Sequence, residues 1–361
     1  MKNKDLLKIT IKGAYGETNF GDDLLMVVFE KYFKTVFPSA EINFWGTKIG
    51  YVKQLLDSTS KYNETSFESD WLVYGGGTQF FSFSNHTLTT IEKLKLVLRN
   101  PSLLITKFKR QPFVNYNKVA FLGFGIGPFT GNSQVINGAK ERLQNADYIG
   151  VRDEVSYIYC QEWNINAVLG ADVVFSSFFK INEYLVERNF KGDQVKKKLG
   201  IIIRDWGLDE DGDLYIEKIM EFYKSTEDFE SKFIIFAPHK DPKFMDRLKD
   251  ENILVWDPDK YTLSDFIAEL NLFDIFISAR YHGAIVAALL NKPVICIEIE
   301  DKLKILSQQI PELKLWKKPF LTSELELILE NIDKTPDYRE SLSHLNQKAD
   351  LMLENFYRSI S

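Results

Sequence analysis

The sequence predicts an α/β protein made of two Rossmann-like lobes facing a cleft. Three observations predict it. Short apolar runs alternate with helix-like segments almost from end to end, the signature of mostly parallel sheets. The 361 residues exceed one ordinary core. The alternation also breaks between residues 176 and 198, where charges accumulate (VERNFKGDQVKKK), and then restarts. This divides the chain into an N-terminal lobe (1–180), a C-terminal lobe (181–337) and a final helix (338–361) that packs back across the lobes.

Residues 7–11 read as the first strand, followed by a glycine-punctuated loop from Gly13 to Gly21. Asp22 is the expected N-cap of an amphipathic helix that runs to about Phe33. Further strands are expected at 41–44, 71–74, 119–124, 148–151 and 167–169, with a helix at 154–163. The second series falls at 199–203, 233–236, 253–255, 275–278 and 294–297.

Composition narrows the function classes. Hydrophobic residues at 45% and charged residues at 27% are ordinary for a folded globular chain. A net charge of −6 argues against general nucleic-acid binding, because no global positive field attracts a phosphate backbone. Cys160 and Cys296 both sit in apolar surroundings, which argues against a disulfide framework or a cysteine zinc site. The four histidines form no ligand pair and no carboxylate cluster has metal spacing, so no metal is expected. The apolar part of the N-terminus is too short for a signal peptide, and no run reaches transmembrane length, so the expected compartment is the cytoplasm. Lys93, Lys95, Arg99, Lys107, Lys109 and Arg110 face a single Glu92 in the stretch 91–113. Two readings stand there: a solvated cationic face, or a peripheral contact with anionic lipid.

Several turns carry chemistry-bearing residues. The segment 273–302 reads FDIFISARYHGAIVAALLNKPVICIEIEDK. It places Arg280 and His282 at a strand-to-helix turn, two residues apart on one side of an extended segment, where helix amides and dipole favour an anion. Gly283 follows them, and Lys302 follows the next strand. Arg152 and Arg204 end strands in the same manner and suit bidentate contact with phosphate or carboxylate, or else a surface ion pair. The glycine clusters 75–77 and 123–127 follow strands. The second departs from a dinucleotide fingerprint at Pro128, which excludes NAD. Two acids at the start of the first helix suit sugar hydroxyls, or the helix dipole itself, better than phosphate, and His239 closes another strand, as a substrate contact or a solvated loop residue.

Taken in order, GAYGETNFGDDLL, YGGGTQF, GFGIGPF, VRDEVS, GADVVF and SARYHGAIVAALLNKPVICIEIEDK resemble the polysaccharide pyruvyltransferase family. The resemblance spans about Gly13 to Lys302. It implies a GT-B-like fold and transfer of pyruvyl from phosphoenolpyruvate to a sugar of a capsule, exopolysaccharide or cell-wall glycan precursor, commonly as a cyclic ketal with release of phosphate. Phosphoenolpyruvate is then a co-substrate, and no further cofactor is implied. Arg152, Arg280 and His282 match the family's donor-site residues and form the expected catalytic set, with His282 the candidate general acid. Gly283, Lys302 and Arg204 complete the expected donor site. Asn19, Asp22, Gly76, Gly77 and Gln79 in the N-terminal lobe, with His239 from the C-terminal lobe, are expected to bind the acceptor. Asp172 also matches a family position, with its role open. An acidic donor calls for several cations and no carboxylate facing it. A lipid-linked acceptor, such as an undecaprenyl-linked oligosaccharide, fits the membrane reading of 91–113. The rival readings are a nucleotide-sugar glycosyltransferase of the same architecture and a non-catalytic glycan-binding protein.

Overall fold

The computed structural model describes residues 6–47, 50–64, 67–82, 114–129, 133–185, 196–207 and 211–360. Its framework is two wholly parallel sheets. The first joins β1 (Lys8–Lys12), β2 (Glu41–Trp45), β3 (Lys61–Tyr62), β4 (Ser69–Ser82), β5 (Tyr116–Phe129), β6 (Tyr148–Val151) and β7 (Val168–Leu169) in the order β3-β2-β1-β4-β5-β6-β7. The second joins β8 (Lys197–Ile203), β9 (Phe229–Ile235), β10 (Leu254–Val255), β11 (Ile275–Ser278), β12 (Val294–Ile297) and β13 (Lys314–Trp316) in the order β10-β9-β8-β11-β12-β13. Every residue of β11 (IFIS) and β12 (VICI) is buried. Such unbroken apolar runs are what a strand covered by helices on both faces requires.

Each sheet reverses its strand order once, between β1 and β4 in the first and between β8 and β11 in the second. Crevices at the carboxyl ends of strands flanking such a reversal are where open α/β sheets bind ligands.

The glycine clusters do not follow β4 and β5, as the sequence suggests, but lie inside them. Both strands run on together for 14 residues, with register shifts near Thr78 and Phe80. Gly76 and Gly77 take φ of +69° and +75° there, and Gly123 and Gly127 take +60° and +80°. These are conformations open to glycine at little cost, so the ladder bends without ending.

Helix α1 (Phe20–Val36) starts two residues before the expected cap. Asn19 holds the cap position and Asp22 lies within the first turn, where it accepts from Asn19 Nδ2 at 2.5 Å. This first turn is embedded in the other lobe. Phe20 N–H donates to Phe236 O at 2.9 Å, and its ring packs 4.7 Å from Phe236, 5.4 Å from Trp256 and 5.0 Å from Phe266. Asp23, fully buried, accepts from Trp256 Nε1 at 2.8 Å and from Tyr51 hydroxyl at 3.0 Å. Burial pushes its carboxyl up to about 7, against those two hydrogen bonds. The lobes are thus joined by packed aromatics and a buried polar contact directly beside the cleft.

Candidate functional site

Both reversal points open into one cavity of about 500 Å³. From the first lobe come Ala14, Asn19, Gly21, Asp22, Gly75–Gly77 and Arg152. From the second come Arg204, Arg280, His282, Glu300 and Lys302. Each cation is delivered by a strand end: Arg152 follows β6, Arg204 follows β8, Arg280 lies two residues past β11, and Lys302 lies beyond β12.

Helix α2 (Glu154–Glu162) follows Arg152, and helix α3 (Tyr281–Leu289) follows Arg280. The expectation that Arg280 and His282 share an extended segment is corrected. Arg280 occupies the extended cap position (φ −115°, ψ 130°), while His282 is already inside the first turn of α3. The helix starts this early because the small Gly283 and Ala284 fit against the sheet. A Cβ on Gly283 would come within 2.6 Å of Ser278 Oγ and 2.9 Å of Ile202. Gly283 therefore packs toward the sheet and is not a cleft-lining residue. Ser278 in turn pins Arg280: its hydroxyl accepts from Arg280 N–H at 3.2 Å and donates to Arg280 O at 2.9 Å.

His282 lies where the lobes meet. A Cβ on Gly21 would fall 2.4 Å from Nδ1, so only glycine lets the first turn of α1 approach the imidazole this closely. On the other side Nε2 is 3.4 Å from Asp172 Oδ2, an ion-pair distance without hydrogen-bond geometry. Asp172 is 1% exposed, caps the following turn by accepting from Val174 N–H at 3.1 Å, and lies 3.5 Å from Arg152 Nη1. Burial alone would raise its carboxyl. His282, Arg152 and the Val174 amide outweigh burial and hold it below its ordinary value.

The other cations are also paired. The sequence expectation of a site without facing carboxylates is therefore corrected, since buried charges persist only with partners. Arg280 donates through Nη2 to Asp241 Oδ1 at 2.5 Å and to the second oxygen as well, and burial lowers the guanidinium while raising the carboxyl. The Arg152 guanidinium lies 4.4 Å from the centre of the Tyr281 ring. Arg204 stacks 5.0 Å from the Trp206 ring and donates to Glu300 Oε1 at 2.6 Å. Lys302 lies in the first turn of α4 (Asp301–Gln309), 2.9 Å from the same oxygen. Burial in the cleft pulls the Lys302 ammonium down to about 8. Glu300 opposes this and Arg204 reinforces it.

Of the residues expected on the acceptor side, Asn19, Asp22, Gly76 and Gly77 line the cavity. His239 does not: it is exposed, and the cleft is lined by its neighbour Lys240, which pairs with Glu17 at 2.5 Å. The side chain of Gln79 and the stretch 91–113 lie outside the described residues. Sequence reasoning missed Glu300, Trp206, Lys240 and Gly21. Of these, Gly21 alone carried a visible signal, as the last glycine before the helix.

Residues 19–301 match the family model described as polysaccharide pyruvyl transferase. No curated protein matches the sequence. Among solved structures, the chain is similar to Staphylococcus aureus MnaA in its co-structure with UDP, at 13% identity and a TM-score of 0.59, over 98% of this chain and 96% of that one. It is also similar to the UDP-GlcNAc 2-epimerase of Methanocaldococcus jannaschii in complex with UDP-GlcNAc and UDP, at 12% identity and a TM-score of 0.55, over 97% and 99% of the two chains. At these identities the likeness is one of fold, and that fold is GT-B-like.

Proposed function

Because the chain belongs to the polysaccharide pyruvyl transferase family, and so is a transferase, we propose that it moves pyruvyl from phosphoenolpyruvate to two hydroxyls of a glycan-precursor sugar, closing a cyclic ketal and releasing phosphate. The observation that carries the reading is the convergence of Arg152 from the first lobe and Arg204, Arg280 and Lys302 from the second on one cleft. Such a set suits a small ligand bearing both phosphate and carboxylate. The glycine-lined wall opposite, with Asn19 and Asp22, leaves room and polar partners for a sugar. An acceptor carried on undecaprenyl and a cytoplasmic enzyme at the membrane face belong to this proposal. No described helix is long and apolar enough to cross a membrane.

In the proposed chemistry His282 gives a proton to the methylene carbon of phosphoenolpyruvate, and C2 becomes oxocarbenium-like. A sugar hydroxyl bonds to C2 and its proton returns to His282. The C2–O bond to phosphorus-bound oxygen breaks, and its electron pair leaves with phosphate. The second hydroxyl then bonds to C2 and its proton passes to the departing phosphate. Arg152, Arg280 and Lys302 hold the phosphate and carboxylate throughout, and Asp172 steadies the imidazole.

The nucleotide-sugar reading draws on fold neighbours solved with UDP. One measurement separates the two. Phosphoenolpyruvate is expected to raise the melting temperature, UDP-sugars to leave it unchanged, and phosphate to be released when a glycan acceptor is added. His282→Ala is expected to bind phosphoenolpyruvate and to lose turnover by about 10²–10⁴-fold, the usual worth of a general acid. Near-normal turnover in that variant removes the role.

A further inference from the structure

The carboxylates that pair the cleft cations are not equivalent. Asp172 and Asp241 are fully or almost fully buried and stand behind Arg152 and Arg280. Glu300 lines the cavity itself. Its Oε1 lies 2.6 Å from Arg204 Nη1 and 2.9 Å from Lys302 Nζ, and its charge is also felt at Arg152 and Arg280. One carboxylate oxygen in the cleft thus contacts two cations, as an oxygen of a bound phosphate or carboxylate would, and its charge reaches two more. Burial works against its ionisation, yet Arg204 and Lys302 outweigh burial and keep it charged at neutral pH.

We propose that Glu300 is a specificity-determining residue of the donor subsite: in the empty enzyme its carboxylate occupies the anion's seat, and only a ligand richer in negative charge displaces it. The ligand's identity as phosphoenolpyruvate rests on the function proposed above, whereas the charge logic of the seat does not. Two desolvated cations left without a partner are costly, so the seat is filled in the absence of ligand. A monoanion replaces Glu300 charge for charge and gains little. A compact dianion brings a surplus that Arg204 and Lys302, with Arg152 and Arg280 beside them, take up. The seat thereby rejects chloride and simple carboxylates, which are abundant, without any steric filter.

The test is calorimetric titration of inorganic phosphate, pyruvate and phosphoenolpyruvate into the wild type, Glu300→Gln and Asp301→Asn. Asp301 lines the same wall and is exposed, so it controls for the bare loss of a negative charge. Glu300→Gln is expected to bind phosphate about tenfold tighter, the worth of one charge-assisted contact. It should gain proportionally more for pyruvate, narrowing discrimination between mono- and dianions. Asp301→Asn should shift affinity by less than about twofold, as an exposed charge does. Equal or weaker phosphate binding by Glu300→Gln, or an equal gain in Asp301→Asn, overturns the proposal. A crystal structure of the wild type with phosphate reads the same point without a variant. Glu300 should have left Arg204 and Lys302, and its persistence there with phosphate bound overturns the proposal. Tighter phosphate binding by Glu300→Gln in a protein that neither binds nor turns over phosphoenolpyruvate keeps the seat and removes the donor assignment.

Discussion

Lys302 is a cation of the cleft whose charge changes within a working pH range. Its ammonium titrates at about 8 because burial removes water that would stabilise it, while Glu300 only partly restores that loss. A lowered lysine is protonated below its pKa and neutral above it, so an anionic donor loses one contact as pH rises through 8. The expected result is a fall of about tenfold per pH unit in kcat/KM for phosphoenolpyruvate above pH 8. Lys302→Arg should remove that limb, because a guanidinium stays charged, and an unchanged limb in that variant would assign the titration elsewhere. At this scale the sequence showed the cations more readily than their partners. Arg280 and His282 stand out because a strand, a turn and a helix follow one another within a dozen residues. Asp241 lies 39 residues from Arg280, and Asp172 lies 110 residues from His282. Only the fold brings such pairs together, and no spacing rule reports them.

The element that sets the Arg280 and His282 wall of the cleft is the β11–α3 turn. Ser278 closes both backbone groups of Arg280, and Gly283 leaves the space in which that hydroxyl sits. Gly283→Ala places a methyl against Ser278 Oγ and Ile202, none of which is the free end of a long chain. The expected cost is about 1–3 kcal/mol of stability, as for other overpacked sites. The KM for phosphoenolpyruvate should also rise more than kcat falls, since Arg280 moves and His282 does not need to. A variant that loses stability with an unaltered KM would show that the turn does not couple to Arg280. The local sequence pointed to Gly283 as a ligand residue because it adjoins Arg280 and His282. Its actual role depends on how closely α3 lies on β8 and β11, which is tertiary information. The glycines within β4 and β5 misled for the same reason: glycine-rich runs read locally as strand ends, but β4 and β5 pair with each other through them, beyond Tyr74 and Phe124 where pairing with β1 and β6 stops.

At the scale of the whole molecule, periodicity made the two α/β series legible, because parallel strands covered on both faces must be short, apolar and separated by helices. The packing of the chain's end depends on contacts that no local pattern contains. Helix α5 (Arg339–Ile360) lies on the first sheet and is tied to it by long-range contacts. Tyr32 and Tyr148 hydroxyls donate to Leu353 O and Met352 O at 2.9 and 2.6 Å. Phe356 packs against Phe33, Trp71 and Tyr148, and Met352 sits over Gly150 and Gly170, where a Cβ would come within 2.5 Å of it. The last segment of the chain therefore completes the core of the first lobe. Leu345, Met352, Leu353 and Phe356 are buried by this packing. At about 1.5–3 kcal/mol each, they contribute roughly 6–12 kcal/mol, comparable to the whole stability of a typical domain of about 5–15 kcal/mol. A chain ending at Asp337 retains every cleft residue named above, yet is expected to lose its cooperative melt and with it all binding of phosphoenolpyruvate. Circular dichroism melting and calorimetry on the truncated and full chains check this. A truncated chain with a sharp transition and undiminished affinity would show that the first lobe closes its core without the helix.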